Sequence, residues 1–274
     1  MNIRIKPFLL NILFSCLCIP AFSQQVKRKL PKSKNTFIVI AHRGSHLIKP
    51  ENTIASITEA IALGTDYVEL DLRTTKDGHL VLLHNDRVDG ISNGKGLIKN
   101  LDFESVKKLI LIGRDSSLHH IASFEEALKA CKGKINIYLD FKAAEAEKAY
   151  QAIKNEGMEH QVLVYVSGNS DYLSWRRTAP EMPLMSQLDP GITTVQNLLG
   201  VFAETPLEAI DNIPNETLLP VLRKMGISIF PDVQKASETV KDWNKVIKYG
   251  VQGLQTDHPE ALIKYLRLAK IRVN

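Results

Sequence analysis

The sequence predicts an α/β fold, a (β/α)8 barrel of the TIM type with a small insertion after the third strand. Three observations predict it. Short apolar runs alternate with amphipathic helical segments throughout residues 36–274. Eight such runs stand at 37–41, 67–72, 79–84, 135–141, 161–166, 183–188, 227–230 and 252–256. The length that remains once the N-terminal segment is set aside, 251 of 274 residues, is the size of one such barrel.

Residues 1–23 read as a secretory signal peptide. Arg4 and Lys6 form a basic start, Phe8 to Ile19 an apolar stretch of 12 residues, and Ala21-Phe22-Ser23 a small-x-small cleavage site. Twelve residues are too few to span a bilayer. The expectation is therefore an exported protein, periplasmic or secreted. An uncleaved anchor and lipidation of Cys16 are the alternatives, and Phe14 fits lipidation poorly. Residues 24–35, polar and basic with Pro31, read as a flexible lead-in, and 36–274 as the barrel domain.

Cleavage after Ser23 lowers the formal charge from +5 to +3. That excess is too weak and scattered to argue for nucleic acid, though it permits loose contact with an anionic membrane surface. No feature sets an oligomeric state. Cys16 and Cys18 leave with the signal, so Cys131 stands alone, with no disulfide framework and no cysteine metal site.

The helices follow from apolar residues at i, i+3, i+4 and i+7. The first starts at Asn52-Thr53, buries Ile54, Ile57 and Ile61, and stops at Gly64. Ser123 with Glu126 three residues on is a capping box; its helix buries Phe124, Ala127, Leu128 and Cys131 and ends at Gly133. Further helices bury Ala146, Ala149, Tyr150 and Ile153, then Val195, Leu198, Leu199 and Phe202, then Leu218, Val221, Leu222 and Met225. Val240, Trp243 and Ile247 line another, capped by Ser237 and closed by Gly250. Leu262, Tyr265, Leu266 and Ala269 line the last, which opens at Pro259. Residues 205–213 read equally as strand or loop. Residues 85–120 hold no helix long enough to cover a strand and read as an insertion over the barrel mouth.

In such a barrel the chemistry lies at the C-terminal ends of the strands. His42 ends the first predicted strand and His84 the third. Glu69 and Asp71, two residues apart, share a face near the end of the second. On the fourth, Asn136, Tyr138, Asp140 and Lys142 share the face opposite Ile137, Leu139 and Phe141, so Asp140 and Lys142 emerge together. Carboxylates that face into a barrel call for a cation, and three such oxygen donors, Glu69, Asp71 and Asp140, suit one divalent metal ion, Ca2+ or Mg2+. His42 and His84 suit an acid–base pair. Arg43 can grip a phosphate oxygen with its fork, and Lys142 can add charge to the same phosphate or pair with Asp140. Glu51 orients Arg43, touches the metal or shapes the loop. His46, His79, His119, His120 and His160 read as surface or loop residues, and His258 as the start of the last helix.

At these residues the chain resembles the glycerophosphodiester phosphodiesterase family. The matching stretches are Ala41-His42-Arg43-Gly44, Pro50-Glu51-Asn52-Thr53, Val68-Glu69-Leu70-Asp71, Thr75-Lys76-Asp77-Gly78 and Leu83-His84. Asn93-Gly94-Lys95-Gly96, Leu139-Asp140-Phe141-Lys142 and Thr256-Asp257-His258-Pro259 extend the match through the mature chain. The resemblance implies a (β/α)8 barrel and a divalent cation on Glu69, Asp71 and Asp140. It implies His42 and His84 as acid and base, and Arg43 and Lys142 on the phosphate of a small-molecule phosphodiester cut to glycerol 3-phosphate and an alcohol. The chain departs from the family pattern at three places: Asp140 stands for the usual Glu, Asn85 for the Asp after the second His, and Ile229-Phe230-Pro231-Asp232 for an aromatic Trp-Thr signature. Two other readings stay open, a phospholipase D-like enzyme acting on sphingolipid or lysolipid, and a barrel that binds a phosphorylated headgroup without turning it over.

Overall fold

The structure, a computed structural model, describes residues 28–213 and 215–272. The expected signal peptide lies outside the described residues. In chain order the strands are β1 (Ile38–Ala41), β2 (Tyr67–Thr74), β3 (Leu80–Leu82), β4 (Leu111–Ile112), β5 (Leu118–His119), β6 (Asn136–Ala143), β7 (Val162–Val166), β8 (Leu184–Ser186), β9 (Ala209–Ile210), β10 (Ser228–Ile229) and β11 (Gly253–Thr256). The helices are α1 (Ile54–Leu63), α2 (Phe103–Val106), α3 (Phe124–Cys131), α4 (Ala146–Asn155), α5 (Asn169–Thr178), α6 (Val195–Glu204), α7 (Leu219–Met225), α8 (Val240–Ile247) and α9 (Pro259–Leu268).

Eight parallel strands run in the order β10-β9-β8-β7-β6-β2-β1-β11. The ring nearly closes where Gln255 N–H donates to the Pro231 carbonyl at 3.0 Å and Val233 N–H to the Gln255 carbonyl at 3.1 Å. This is the predicted barrel, but one stave is assigned differently. The run at 79–84 is not a parallel stave: β3 pairs antiparallel with β2, Leu72 opposite Leu82. The reason is spacing. Only residues 75–79 separate the two strands, and a parallel crossover needs about a dozen or more. Thr75-Lys76-Asp77-Gly78 is a hairpin turn, with Gly78 at φ 86°. The eighth stave is β9, in the stretch that read as strand or loop.

β3 and the segment after it form a satellite core of Val81, Leu83, Val88, Ile98, Val106, Leu111 and Ile121. The insertion thus follows a hairpin strand that flanks the second stave. The described part of the expected lead-in is also held in place. Leu30 packs against the barrel interior, the Tyr67 hydroxyl donates to the Pro31 carbonyl at 2.8 Å, and the Asn136 side chain donates to the Lys32 carbonyl at 2.9 Å. Residues 28–35 therefore stopper the end of the barrel opposite the strand C-termini.

The helices bury the stripes their periodicity requires, with corrections. Thr53 caps α1 with a capping box closed by Ser56, and Gly64 ends it at φ 79°. Ser123 caps α3 with Glu126, and Cys131 is buried. On α6, Leu198 and Phe202 are buried but Val195 and Leu199 are exposed. Thr239 rather than Ser237 caps α8, and Val240 is exposed. Ala269, expected in the core, is exposed beyond the end of α9. α5 has no counterpart in the sequence reading. Its two buried residues, Tyr172 and Trp175, make too sparse a stripe to show periodicity, yet the Trp175 ring packs edge-on against Phe141 at 5.4 Å.

Candidate active site

Successive strand residues point to opposite faces. The inward residues of the barrel therefore stack in layers. One layer is apolar: Ile40, Tyr67, Tyr138, Leu163, Met185, Ala209 and Phe230 pack together. Two residues further along six of these chain segments, all but that of β8, the mouth-lining positions are His42, Glu69, Asp140, Tyr165, Asp211 and Asp232. The same alternation carries the chain from an oily plug to a polar mouth. That mouth is a cavity of about 170 Å3 that also takes in Arg43, Asp71, His84, Lys142, Gln234 and Gln255.

The first βα loop is built tightly. Arg43 sits at φ 51° and Asn52 at φ 56°, a region that side chains rarely adopt. The strain aims the Arg43 N–H at Glu69 Oε2, 2.8 Å away. It also aims the Asn52 amide at Asp71 Oδ2, 2.7 Å away, while Asn52 Oδ1 accepts the Asp71 N–H at 3.1 Å. Gly44, at φ 83°, lies where an added Cβ would stand 2.4 Å from Ser56 Oγ and 2.8 Å from the Ser56 backbone carbon. Rotating a side chain cannot relieve the backbone clash. Gly44→Ala is expected to cost roughly 2–4 kcal/mol through strain and overpacking, read as a lowered midpoint in chemical denaturation. An unchanged midpoint would show the loop to be looser than this geometry.

The cationic side chains are held by acids. Arg43 Nη1 donates to Glu51 Oε2 at 2.9 Å, a contact that steadies the guanidinium. Lys142 Nζ lies 2.7 Å from Asp140 Oδ2 and 3.2 Å from Asp71 Oδ1. It gets there through a β-bulge: Leu72 faces Phe141 and Arg73 faces Ala143, which leaves Lys142 as the extra residue. Burial alone would lower the Lys142 ammonium, but Asp71 and Asp140 hold it above its ordinary value.

Both strand-end histidines have their Nδ1 engaged. His42 Nδ1 lies 2.6 Å from Asp257 Oδ1 and His84 Nδ1 lies 3.1 Å from Asn85 Oδ1. The Asp257 carboxylate holds a proton on His42 Nδ1 and leaves His42 Nε2 for chemistry, while the Asn85 amide engages His84 on the Nδ1 side. Burial lowers the His84 imidazole below its ordinary value. Burial would raise the Asp257 carboxyl, but its hydrogen bond from His42, with the charges of His42, His46 and Arg43, keeps it low. His46 lies in the first βα loop, as expected. It is half-buried, its Nδ1 donates to the His42 carbonyl at 2.7 Å, and its Nε2 faces Asp257 Oδ1 at 3.5 Å. His258 stands at the N-cap of α9 as expected.

Glu69, Asp71 and Asp140 present oxygens within 4.8 Å of one another. Burial, then the charges of Asp71 and Asp140, push Glu69 well above the carboxylate range. Burial also raises Asp140, against the pull of Lys142. Three crowded, desolvated carboxylates keep their charge best around a shared hard cation, and all-oxygen donors suit Ca2+ or Mg2+. The residues present therefore fit such an ion.

Several mouth residues escaped the sequence reading. Asp211 follows Ala209 by two, Asp232 follows Phe230 by two, and Gln255 lies opposite Ile40. The signal that could have found them is the same period of two, but β9 and β10 are two residues each, too short to reveal it. Asp211 lies against Tyr165, and burial pushes its carboxyl up to about 6.

A family model for the glycerophosphoryl diester phosphodiesterase family matches residues 42–261. A glycerophosphodiester phosphodiesterase of Caldanaerobacter subterraneus is 33% identical over 242 residues, covering 84% of this chain and 98% of that protein. Among solved structures, an Oleispira antarctica phosphodiesterase in complex with the product sn-glycerol-3-phosphate shares the fold with a TM-score of 0.71 at 20% identity, over 83% of this chain and 95% of that one. A glycerophosphoryl diester phosphodiesterase from Parabacteroides distasonis gives 0.72 at 20% identity, over 90% of this chain and 89% of that one. The matched span opens at His42 and runs through every acid and base that the barrel gathers at its mouth, and so the chain belongs to the glycerophosphoryl diester phosphodiesterase family, a family of phosphoric diester hydrolases.

Proposed function

We propose that the protein hydrolyses a glycerophosphodiester to glycerol 3-phosphate and an alcohol, with one divalent cation, Ca2+ or Mg2+, on Glu69, Asp71 and Asp140 and with His42 and His84 exchanging the protons. One observation carries this reading. Two imidazoles with their Nδ1 atoms engaged line one cavity together with a carboxylate trio and two fixed cations, Arg43 and Lys142. When bound, the cation neutralises phosphate charge and lowers the pKa of an attacking hydroxyl.

The protein's own groups do the rest. Arg43, steadied by Glu51, and Lys142 hold the phosphate oxygens. His84, whose imidazole pKa burial lowers, takes the proton from the attacking oxygen: either a water, which gives glycerol 3-phosphate directly, or a glycerol hydroxyl of the substrate, which gives a cyclic glycerol phosphate that a water then opens to glycerol 3-phosphate. As the new P–O bond forms and the old one breaks, His42, backed by Asp257, delivers a proton to the departing alcohol. A second reading, an intact lipid as substrate, is favoured by one feature: Ile48, Ile112 and Leu118 are exposed on the first loop and the β4–β5 hairpin.

The test is a panel of glycerophosphodiesters and lysolipids incubated with Mg2+ or Ca2+, with and without chelator. Glycerol 3-phosphate released with either ion and lost on chelation is the expected result. Lysophosphatidate as the main product would favour the second reading, and no product from any diester would remove both.

A further inference from the structure

The mouth is electrically divided. Arg43 and Lys142 sit on the β1 loop and on β6, and each is already matched with acids on its own side. Across the barrel, β9 and β10 bring up Asp211 and Asp232, linked where the Asp232 N–H donates to the Asp211 carbonyl at 3.2 Å. Among the described residues no Lys, Arg or His forms an ion pair with either one.

This side of the mouth also presents acceptors without donors. Asp211 Oδ1 is buried and accepts no hydrogen bond. Gln255 is independent evidence of the same kind. It is 3% exposed and lines the cavity. Its amide nitrogen is spent on Gln234 Oε1 at 2.7 Å, while its own Oε1 is buried with no partner. A buried acceptor without a donor is costly and calls for a partner. Here the partner must bring N–H or O–H groups, and beside two carboxylates it must also bring positive charge.

We propose that Asp211, Asp232 and Gln255 form the subsite for the alcohol half of the substrate and select an alcohol that carries a primary ammonium group. This rests on the hydrolysis proposed above, which places the phosphate at Arg43 and Lys142. A primary ammonium offers one positive charge to two acids that have no ion-pair partner among the described residues, and three donors to a region where Asp211 Oδ1 and Gln255 Oε1 have none. A trimethylammonium group brings the charge without the donors. A glycerol group brings donors without the charge and leaves the acids uncompensated.

The experiment compares three diesters that share the glycerol 3-phosphate half and differ in the alcohol: 2-aminoethanol, choline and glycerol. With the full chain and its activating cation, kcat/KM is expected to favour the aminoethyl diester over the glyceryl one by about tenfold, the size of one charge-assisted hydrogen bond, with choline between them. In Asp211→Asn that ratio is expected to fall towards one. Asp232→Asn, at an exposed position, is the second variant and guards against a folding defect in the first. Calorimetric binding of the same three diesters to the wild-type protein, with the activating cation removed by chelator, gives the preference independently of turnover. Absence of cleavage with a preserved binding preference would sink the hydrolytic reading and keep the subsite. Equal kcat/KM and equal binding for all three, or a ratio unchanged in both variants, would overturn the subsite and leave hydrolysis standing.

Discussion

Replacing His84 by alanine is expected to lower kcat by about 10²–10⁴-fold, the usual worth of a positioned proton-transfer group. His84 ends the β3 hairpin strand, and Arg73 holds its backbone there: Arg73 Nε donates to the carbonyl of Leu83 at 2.9 Å and to that of His84 at 3.1 Å. The imidazole is partly buried at the mouth, and burial lowers its pKa. A base must be neutral to act, and a lowered pKa keeps His84 neutral further into the acid range. The acid limb of kcat/KM in the wild-type protein is therefore expected below the ordinary imidazole value of about 6.5, and it should vanish from the residual activity of His84→Ala. His42→Ala is expected to cost a similar factor in kcat while leaving that limb in place. A steady-state pH profile of the three proteins checks both statements. Wild-type kcat in His84→Ala, or an acid limb well above the imidazole range, would remove His84 from the reaction.

Asp71 is the residue whose loss is expected to do most damage to the fold and the site together. Its side chain is 1% exposed and lies between Asn52 at 2.7 Å, Lys142 at 3.2 Å and Arg43 at 3.6 Å. Asp71→Ala strips all three of a partner at once and leaves cationic groups beside a desolvated gap. The expected cost is roughly 3–5 kcal/mol, typical of breaking a buried ion pair from one side. Asp71→Asn keeps the shape and removes the charge. It is expected to fold with a smaller loss, yet to weaken the apparent affinity for the activating cation by at least about 10–100-fold, the range already seen when an outer partner of a metal ligand is lost. Denaturation midpoints and cation titrations of activity on the two variants separate the effects. An unchanged cation response in Asp71→Asn would take Asp71 out of the proposed ion site, whatever Asp71→Ala does to stability.

Much of the site was legible because its residues stand on or beside long, regular strands. β2 and β6 are eight residues each, long enough for the period of two to show Glu69, Asp71 and Asp140 on one inner face. Their register then follows, with Asp71 opposite Asp140. The far half of the mouth was hidden because β9 and β10 are too short to carry a pattern. The approach of His46 to Asp257 was hidden for a different reason. A loop histidine five residues past the end of β1 has no period to read, and only the turn made by Arg43 and Gly44 brings it back to Asp257.

By itself the sequence determined the fold class, the capped helices around the barrel, and the acids, bases and cations that strand ends carry to one rim. These depend on local periodicity and on residue chemistry, which a linear chain displays. Only the tertiary structure decided that 80–82 turns back as a hairpin strand while 209–210 closes the count of staves. It alone paired His42 with Asp257 and Arg43 with Glu51, and it alone set Asp211 and Asp232 across from the phosphate side. Those facts depend on which strands become neighbours when the sheet curls into a ring, and that is settled by packing between segments far apart in the chain.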